Sequence, residues 1–211
     1  MSRKIEHPAD CRPSLRSLES KLLAAACTLM VVAALGLPGC VVHHNVRENL
    51  KITKPSSGKI PLRAGLYVSG ALKNLKPPSG NRFHEINLGE GLARGAEKAY
   101  RSAFAEVSII DDSVTDIGRL NVDVIASGQV MEARYRDMKD LRRVCTTTIK
   151  WTIADRKGNV IYENTITGEG ATDDTFKAHF GECFSISLED HFNQLLAHLT
   201  SVTWWQGLKK D

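Results

Sequence analysis

Aromatic residues make up only 6% of this 211-residue chain, and the basic excess is thin, 28 Lys and Arg against 24 Asp and Glu. Nucleic-acid binding asks for a basic stripe interleaved with aromatic side chains, and neither is present in the needed density. Long apolar runs are missing too. The longest apolar run, Leu22 to Leu37, has 16 residues, short of the roughly 20 that a helix needs to cross a bilayer. The sequence holds no GxSxG, no HExxH, no GxxxxGK[ST] and no GxGxxG following a strand. The usual signatures of serine hydrolases, zincins, P-loop enzymes and dinucleotide enzymes are thereby absent. No CxxC pair occurs, which removes the common spacing for a thiol–disulfide or zinc site.

The amino-terminal region is organised. Arg3, Lys4, Arg12, Arg16 and Lys21 precede the apolar run, and Gly36 and Pro38 break any helix at its end. A basic segment, an apolar core and small residues near a cleavage point are the parts of a secretory signal, expected over residues 1–39. Leu37-Pro38-Gly39-Cys40 resembles the lipobox of bacterial lipoproteins, with Pro38 in place of the usual alanine or serine. The resemblance implies cleavage before Cys40 and acylation of that residue. Each buried methylene contributes about 0.8 kcal/mol, so several acyl chains on one residue hold almost permanently. Val41 after the cysteine, where an aspartate would retain the protein at the inner membrane, implies outer-membrane sorting.

Removal of the signal leaves 172 residues, one domain's length, with 23 basic against 21 acidic side chains. Cys11 and Cys27 leave with the signal and Cys40 is taken by lipid, so Cys145 and Cys183 remain as a disulfide candidate in an oxidising compartment. The densest basic cluster, Arg134, Arg136, Lys139, Arg142 and Arg143, is interrupted by Asp137 and Asp140 and reads as a solvated hairpin end.

Residues 40–63 show no sustained period and contain Pro55, Gly58 and Pro61. They read as the lipidated cysteine and a flexible tether with a reach of roughly 25 Å. His43 and His44 on it lack an evident third metal ligand. Beyond it, residues 64–211 read as one domain. Ala64–Gly70 is a strand and the Pro77-Pro78 region a loop. Leu88, Leu92, Ala96, Ala99 and Ala103 mark a helix, and Glu106–Ile110 another strand. Residues 119–135 and 145–153 alternate in period two. In the second, Cys145, Thr147, Ile149, Trp151 and Ile153 face one way, against Thr146, Thr148, Lys150 and Thr152. Gly158-Asn159 turns the chain into a further strand. After a loop over 171–184, Ser187 reads as the N-cap of a last helix striped by Leu188, Phe192, Leu195, Leu196 and Leu199.

The expected fold is α+β, a mainly antiparallel sheet with two helices packed on one face. This element order resembles the periplasmic domains of YajG-type and lipopolysaccharide-assembly lipoproteins and of TolB-like proteins.

Candidate sites are few. Asp173, Asp174, His179, Glu182 and Cys183 gather metal-ligand and acid–base residue types in one loop, which also reads as a polar loop pinned by a disulfide. The glycine-rich GEGLARG opens a helix but matches no phosphate loop, and reads as a close-packing surface. His191 and His198 sit near one face of the last helix. Trp204 and Trp205 are either a partner contact or tucked against the sheet edge. The expectation is a lipid-anchored, periplasm-facing, non-enzymatic binding or assembly module of the outer membrane. It would carry no cofactor and no metal, engage an envelope protein partner and bind no nucleic acid. The rival is a small metal- or ligand-dependent enzyme using the Asp173–Glu182 loop.

Overall fold

The computed structural model describes residues 41–55, 58–78, 84–114, 119–140, 142–173, 180–201 and 203–209. Cys40 and the signal segment lie outside the described residues. Residues 41–211 form a compact unit of their own.

Strand β6 (Arg143–Asp155) shows most directly how the sequence sets the fold. Cys145, Thr147, Ile149, Trp151 and Ile153 are buried, and the alternate threonines and Lys150 are only partly covered. On either side it pairs antiparallel with β5 (Val124–Asp137) and β7 (Val160–Thr172). The β6–β7 turn uses Gly158 at φ +87°, a value that glycine adopts without steric cost. The Asp155 carboxylate closes it by accepting from the N–H groups of Lys157 and Asn159.

The five-stranded sheet is mixed and not purely antiparallel. Its order is β4-β2-β5-β6-β7, and β2 (Ile60–Tyr67) runs parallel to both β4 (Phe104–Ile110) and β5. Between β2 and β4 the chain returns through α1 (Gly70–Lys73), β3 (His84–Asn87) and α2 (Gly89–Ala103), which delivers β4 in the same direction. Period-two patterning fixes which face is apolar but not strand direction, so the parallel pairs were invisible to it. Pro61 falls inside β2, at a bulge in the β4 pairing and before the β5 pairing starts at Ala64, a place where its missing N–H is tolerated.

Residues 42–53 and 60–63 are packed and do not form a flexible tether. β1 (Val42–Asn45) pairs parallel with β3 in a second, two-stranded sheet, and Val46 and Leu50 are each only 3% exposed. The backbone N–H groups of Arg47, Lys51 and Thr53 donate to the side chains of Ser185, Glu189 and Asn193 at 2.8–2.9 Å. These acceptors lie on the last helix, α3 (Phe180–Ser201). A segment whose hydrogen bonds go to side chains of a remote helix needs no period of its own, which is why its sequence looked like linker.

Ser187 does not cap α3. The helix begins at Phe180, and Phe180, Cys183 and Phe184 extend the buried stripe upstream. The buried Ser187 hydroxyl lies 3.0 Å from Thr147 Oγ1 and donates to the Gly168 carbonyl. Asp190 likewise takes no part in a capping box; its carboxylate accepts from the backbone of Glu169. Glycine lets α3 come this close: a Cβ at Gly168 would stand 2.2 Å from Ser187 O, and one at Gly170 2.4 Å from Cys183 O. The core closes around Trp151, whose indole touches Tyr100 of α2 and His191 and Phe192 of α3.

Candidate functional site

The start of α3 gathers more unusual chemistry than any other described part of the molecule. Cys183, one turn into the helix, is bonded to Cys145 near the start of β6, with Cα atoms 5.7 Å apart and both residues fully buried. The pairing expected from the cysteine count is present. Two residues before Cys145, on the same inward face of β6, lies Arg143, only 4% exposed.

A buried guanidinium has to be compensated. Asp137 accepts from Arg143 Nε and Nη2 at 2.6 and 3.0 Å. The Phe180 ring lies 3.6 Å below the guanidinium carbon, and the Tyr135 ring 5.2 Å away, an arrangement that aromatic faces stabilise. Phe180 in turn meets His44 edge-on with ring centroids 5.0 Å apart. His44 Nε2 shares a hydrogen bond of 2.8 Å with His84 Nδ1, joining β1 to β3. Burial holds His44 below the usual histidine range, and the charges of His84, Arg143 and His43 push it the same way. The result is a compact aromatic and cationic junction that ties the first strand, the β5–β6 hairpin and the last helix together. The period-two inward face of β6, carried back from Cys145 to Arg143, was the one signal that pointed to it. His84 and Phe180 gave none, because both join it through contacts distant in sequence.

Beside the junction is an open cleft of ≈ 670 Å³ whose lining includes His43, Asn45, Lys76, Glu85, Asn87 and Arg94. Its polar groups largely satisfy one another. Lys76 meets Glu85 at 2.8 Å and His43 meets it at 3.2 Å, and Lys76 above all holds the Glu85 carboxyl below its ordinary range. Asn87 donates to Asn45 at 2.8 Å. The lining carries both signs of charge and no aromatic ring other than His43. Among the described residues no group of three or more His, Cys, Asp or Glu is placed to hold a metal ion.

The other expected residues are scattered. Asp174 and His179 lie outside the described residues. Asp173 is exposed, Glu182 pairs with Arg47, and Cys183 is consumed by the disulfide. The described part of the Asp173–Glu182 loop therefore assembles no site. His191 is buried and accepts from Trp151 Nε1, whereas His198 is exposed. Trp204 and Trp205 are both half-buried against the core, Trp204 between Phe104 and Tyr162. In the basic cluster, Arg134 pairs with Glu132 and Arg142 with Asp140, at the hairpin end expected for them. Arg143 is the exception, being interior. Gly91 and Gly95 of the GEGLARG stretch face Val46 and Phe192 at distances that leave no room for a side chain, so this stretch serves packing.

No family model matches the chain, and no curated protein matches it. Among solved structures, a Xanthomonas campestris protein of the family model DUF330 superposes with a TM-score of 0.60 at 10% identity, covering 81% of this chain and 100% of that one. That likeness shows a shared fold. A PelC dodecamer from Paraburkholderia phytofirmans aligns with a TM-score of 0.44 at 16% identity, covering 70% of this chain and 95% of that one. A minor lipoprotein from Acinetobacter baumannii aligns at 0.38 and 15% identity, covering 68% and 94%. Both are too loose to inform on fold or role.

Proposed function

We propose that this chain is a bacterial envelope lipoprotein, acylated at Cys40, facing the periplasm from the outer membrane, whose residues 41–211 act as a non-enzymatic binding or assembly module. The observation that carries the reading is Leu37-Pro38-Gly39-Cys40 at the end of a 16-residue apolar run. Two further features support it. The Cys145–Cys183 disulfide belongs to an oxidising compartment, where such bonds persist. The folded unit starts at Val41, directly after the cysteine to be acylated. Among the described residues no helix is long and apolar enough to cross a membrane, and in this reading attachment falls to Cys40.

The test is Cys40→Ala in the native host, with radiolabelled palmitate and membrane fractionation. Loss of label, accumulation of the unprocessed chain and loss of outer-membrane partitioning are expected. Normal processing and unchanged partitioning would overturn the anchor. The module half of the reading is tested by cross-linking in intact envelopes. Recovery of a discrete protein partner is expected, and a clean recovery of none counts against it.

A further inference from the structure

The path of residues 44–53 determines which end of the domain carries the anchor position. The Asn45 carbonyl lies against Gly181, and the backbone of Arg47, Lys51 and Thr53 bonds successively to Ser185, Glu189 and Asn193. The chain thus runs along α3 from its first turn toward its last. Traced backwards, it passes His44 against Phe180, the first residue of α3, so Val42 and Val41 lie beyond the start of the helix. Cys40 is the residue bonded to Val41, so this end of the domain is the one next to the position to be acylated.

The β5–β6 turn reaches beyond the same point. Arg143, the first residue of β6, is stacked on Phe180, and the turn before it is closed by the Met138 N–H donating to the Arg142 carbonyl. This end exposes apolar side chains: Val41 is 45%, Val42 47% and Met138 37% accessible. It also carries cations without an ion-pair partner, against the exposed carboxylate of Asp173, which follows Thr172 beside Arg143. Arg142 is paired with Asp140 and Arg143 with Asp137, whereas Arg136 and Lys139 are exposed and make no ion pair among the described residues. Exposed apolar groups with flanking cations, next to a residue to be acylated, match a surface that meets anionic headgroups and the top of the acyl layer.

Resting on the reading of Cys40 as acylated, we propose that Val41, Val42, Arg136, Met138 and Lys139 form a docking surface for an anionic phospholipid membrane, so that the domain sits on the bilayer instead of hanging from a tether. Each unpaired cation near such a surface raises its occupancy roughly fivefold.

The experiment couples the purified domain, beginning at Cys40, to a maleimide lipid in vesicles of phosphatidylethanolamine with or without phosphatidylglycerol. With Cys145 and Cys183 joined, Cys40 offers the one free thiol. Met131 and Met138 are the only methionines after residue 40, and Met131, 57% exposed, lies about 23 Å back along β5. Brief hydroxyl-radical exposure followed by mass spectrometry reads both. Met138 oxidation is expected to fall several-fold on vesicles containing phosphatidylglycerol, with Met131 unchanged, and Arg136→Glu with Lys139→Glu should abolish the protection. Equal oxidation of Met138 with and without the anionic lipid overturns the proposal. So does protection of Met138 in the uncoupled domain without vesicles, which would mean that a second copy covers it. The coupling is chemical, so a chain that is never acylated in the cell fails the palmitate test and leaves this one intact, and the reverse also holds.

Discussion

The indole nitrogen of Trp151 donates to Nε2 of His191 across 2.8 Å, a bond between β6 and α3 in which both residues are buried. Accepting at Nε2 places the proton of the neutral imidazole on Nδ1, which is buried without a bonded partner among the described residues. Burial is the main reason that the His191 pKa falls to about 4; the nearby backbone of Thr147 and the charge of Asp190 oppose it weakly. A folded pKa below the unfolded one means that the unfolded chain binds the proton first. Stability from this residue is complete above pH ~6.5 and is lost as pH drops toward 4, by roughly 3 kcal/mol in all. His44, also lowered, acts in the same direction. Depressed carboxylates such as Asp112 and Asp155 contribute above their unfolded pKa and begin to lose that contribution only below about pH 4, so the two windows separate. Urea midpoints at pH 7, 6 and 5 should fall steadily in the native sequence. His191→Gln, which can accept from the indole without titrating, should flatten most of that slope.

The contact of α3 with β7 has no room for a methyl group. Gly168→Ala places a carbon against the backbone of Ser187 and the Cβ of His191, neither of which can swing aside. Thermal or urea unfolding should show a loss of about 1–3 kcal/mol. Gly58→Ala, with nothing within 4 Å of the added carbon, is the matched control and should stay within roughly 0.5 kcal/mol of the native chain.

The Cys145–Cys183 bond closes a 38-residue separation, worth roughly 4 kcal/mol on the chain-entropy model. Non-reducing mass spectrometry of the mature domain should find neither cysteine free to alkylate. Both are fully buried, so reduction should be slow until denaturant is added. Once the bond is reduced, the melting temperature should drop by roughly 8–16 °C.

Leu50 decides between a tether and a packed segment. It touches the position where a Gly95 side chain would stand, between α2 and α3. Leu50→Ala should cost about 2–4 kcal/mol, as for any buried leucine, whereas the same change in a flexible linker would cost nothing measurable.

What the amino-acid pattern revealed was local. Alternation along β6 showed its inward face, the alanine-rich stripe marked α2, and cysteine arithmetic found the bridge. β1 and β3 were missed because each has four residues and is a strand only by virtue of the other. Ser187 misled because a serine before an apolar stripe reads as a cap, while its actual partners, Thr147 and Gly168, lie on strands far away in the chain. The junction at Phe180 was hidden for the same reason: Arg143, His44 and His84 carry no spacing that relates them. Parallel pairing of β2 with β4 and β5 is a property of the connections and leaves no mark on the period of any strand.

Arg47 contacts Ser185 across 138 positions, and Thr53 contacts Asn193 across 140. β3 and α2 offer β1, Val46 and Leu50 their first partners, but the side of this segment that meets α3 stays bare until nearly the whole domain is made. A chain emerging amino-terminus first therefore holds residues 47–53 only half-packed, against α2, until α3 follows. The antiparallel β5–β6–β7 meander, joined by short turns, can close early, because its loops cost little entropy. The docking of residues 47–53 on α3 is the closing step, and a chain that stops before α3 lacks the surface that completes it.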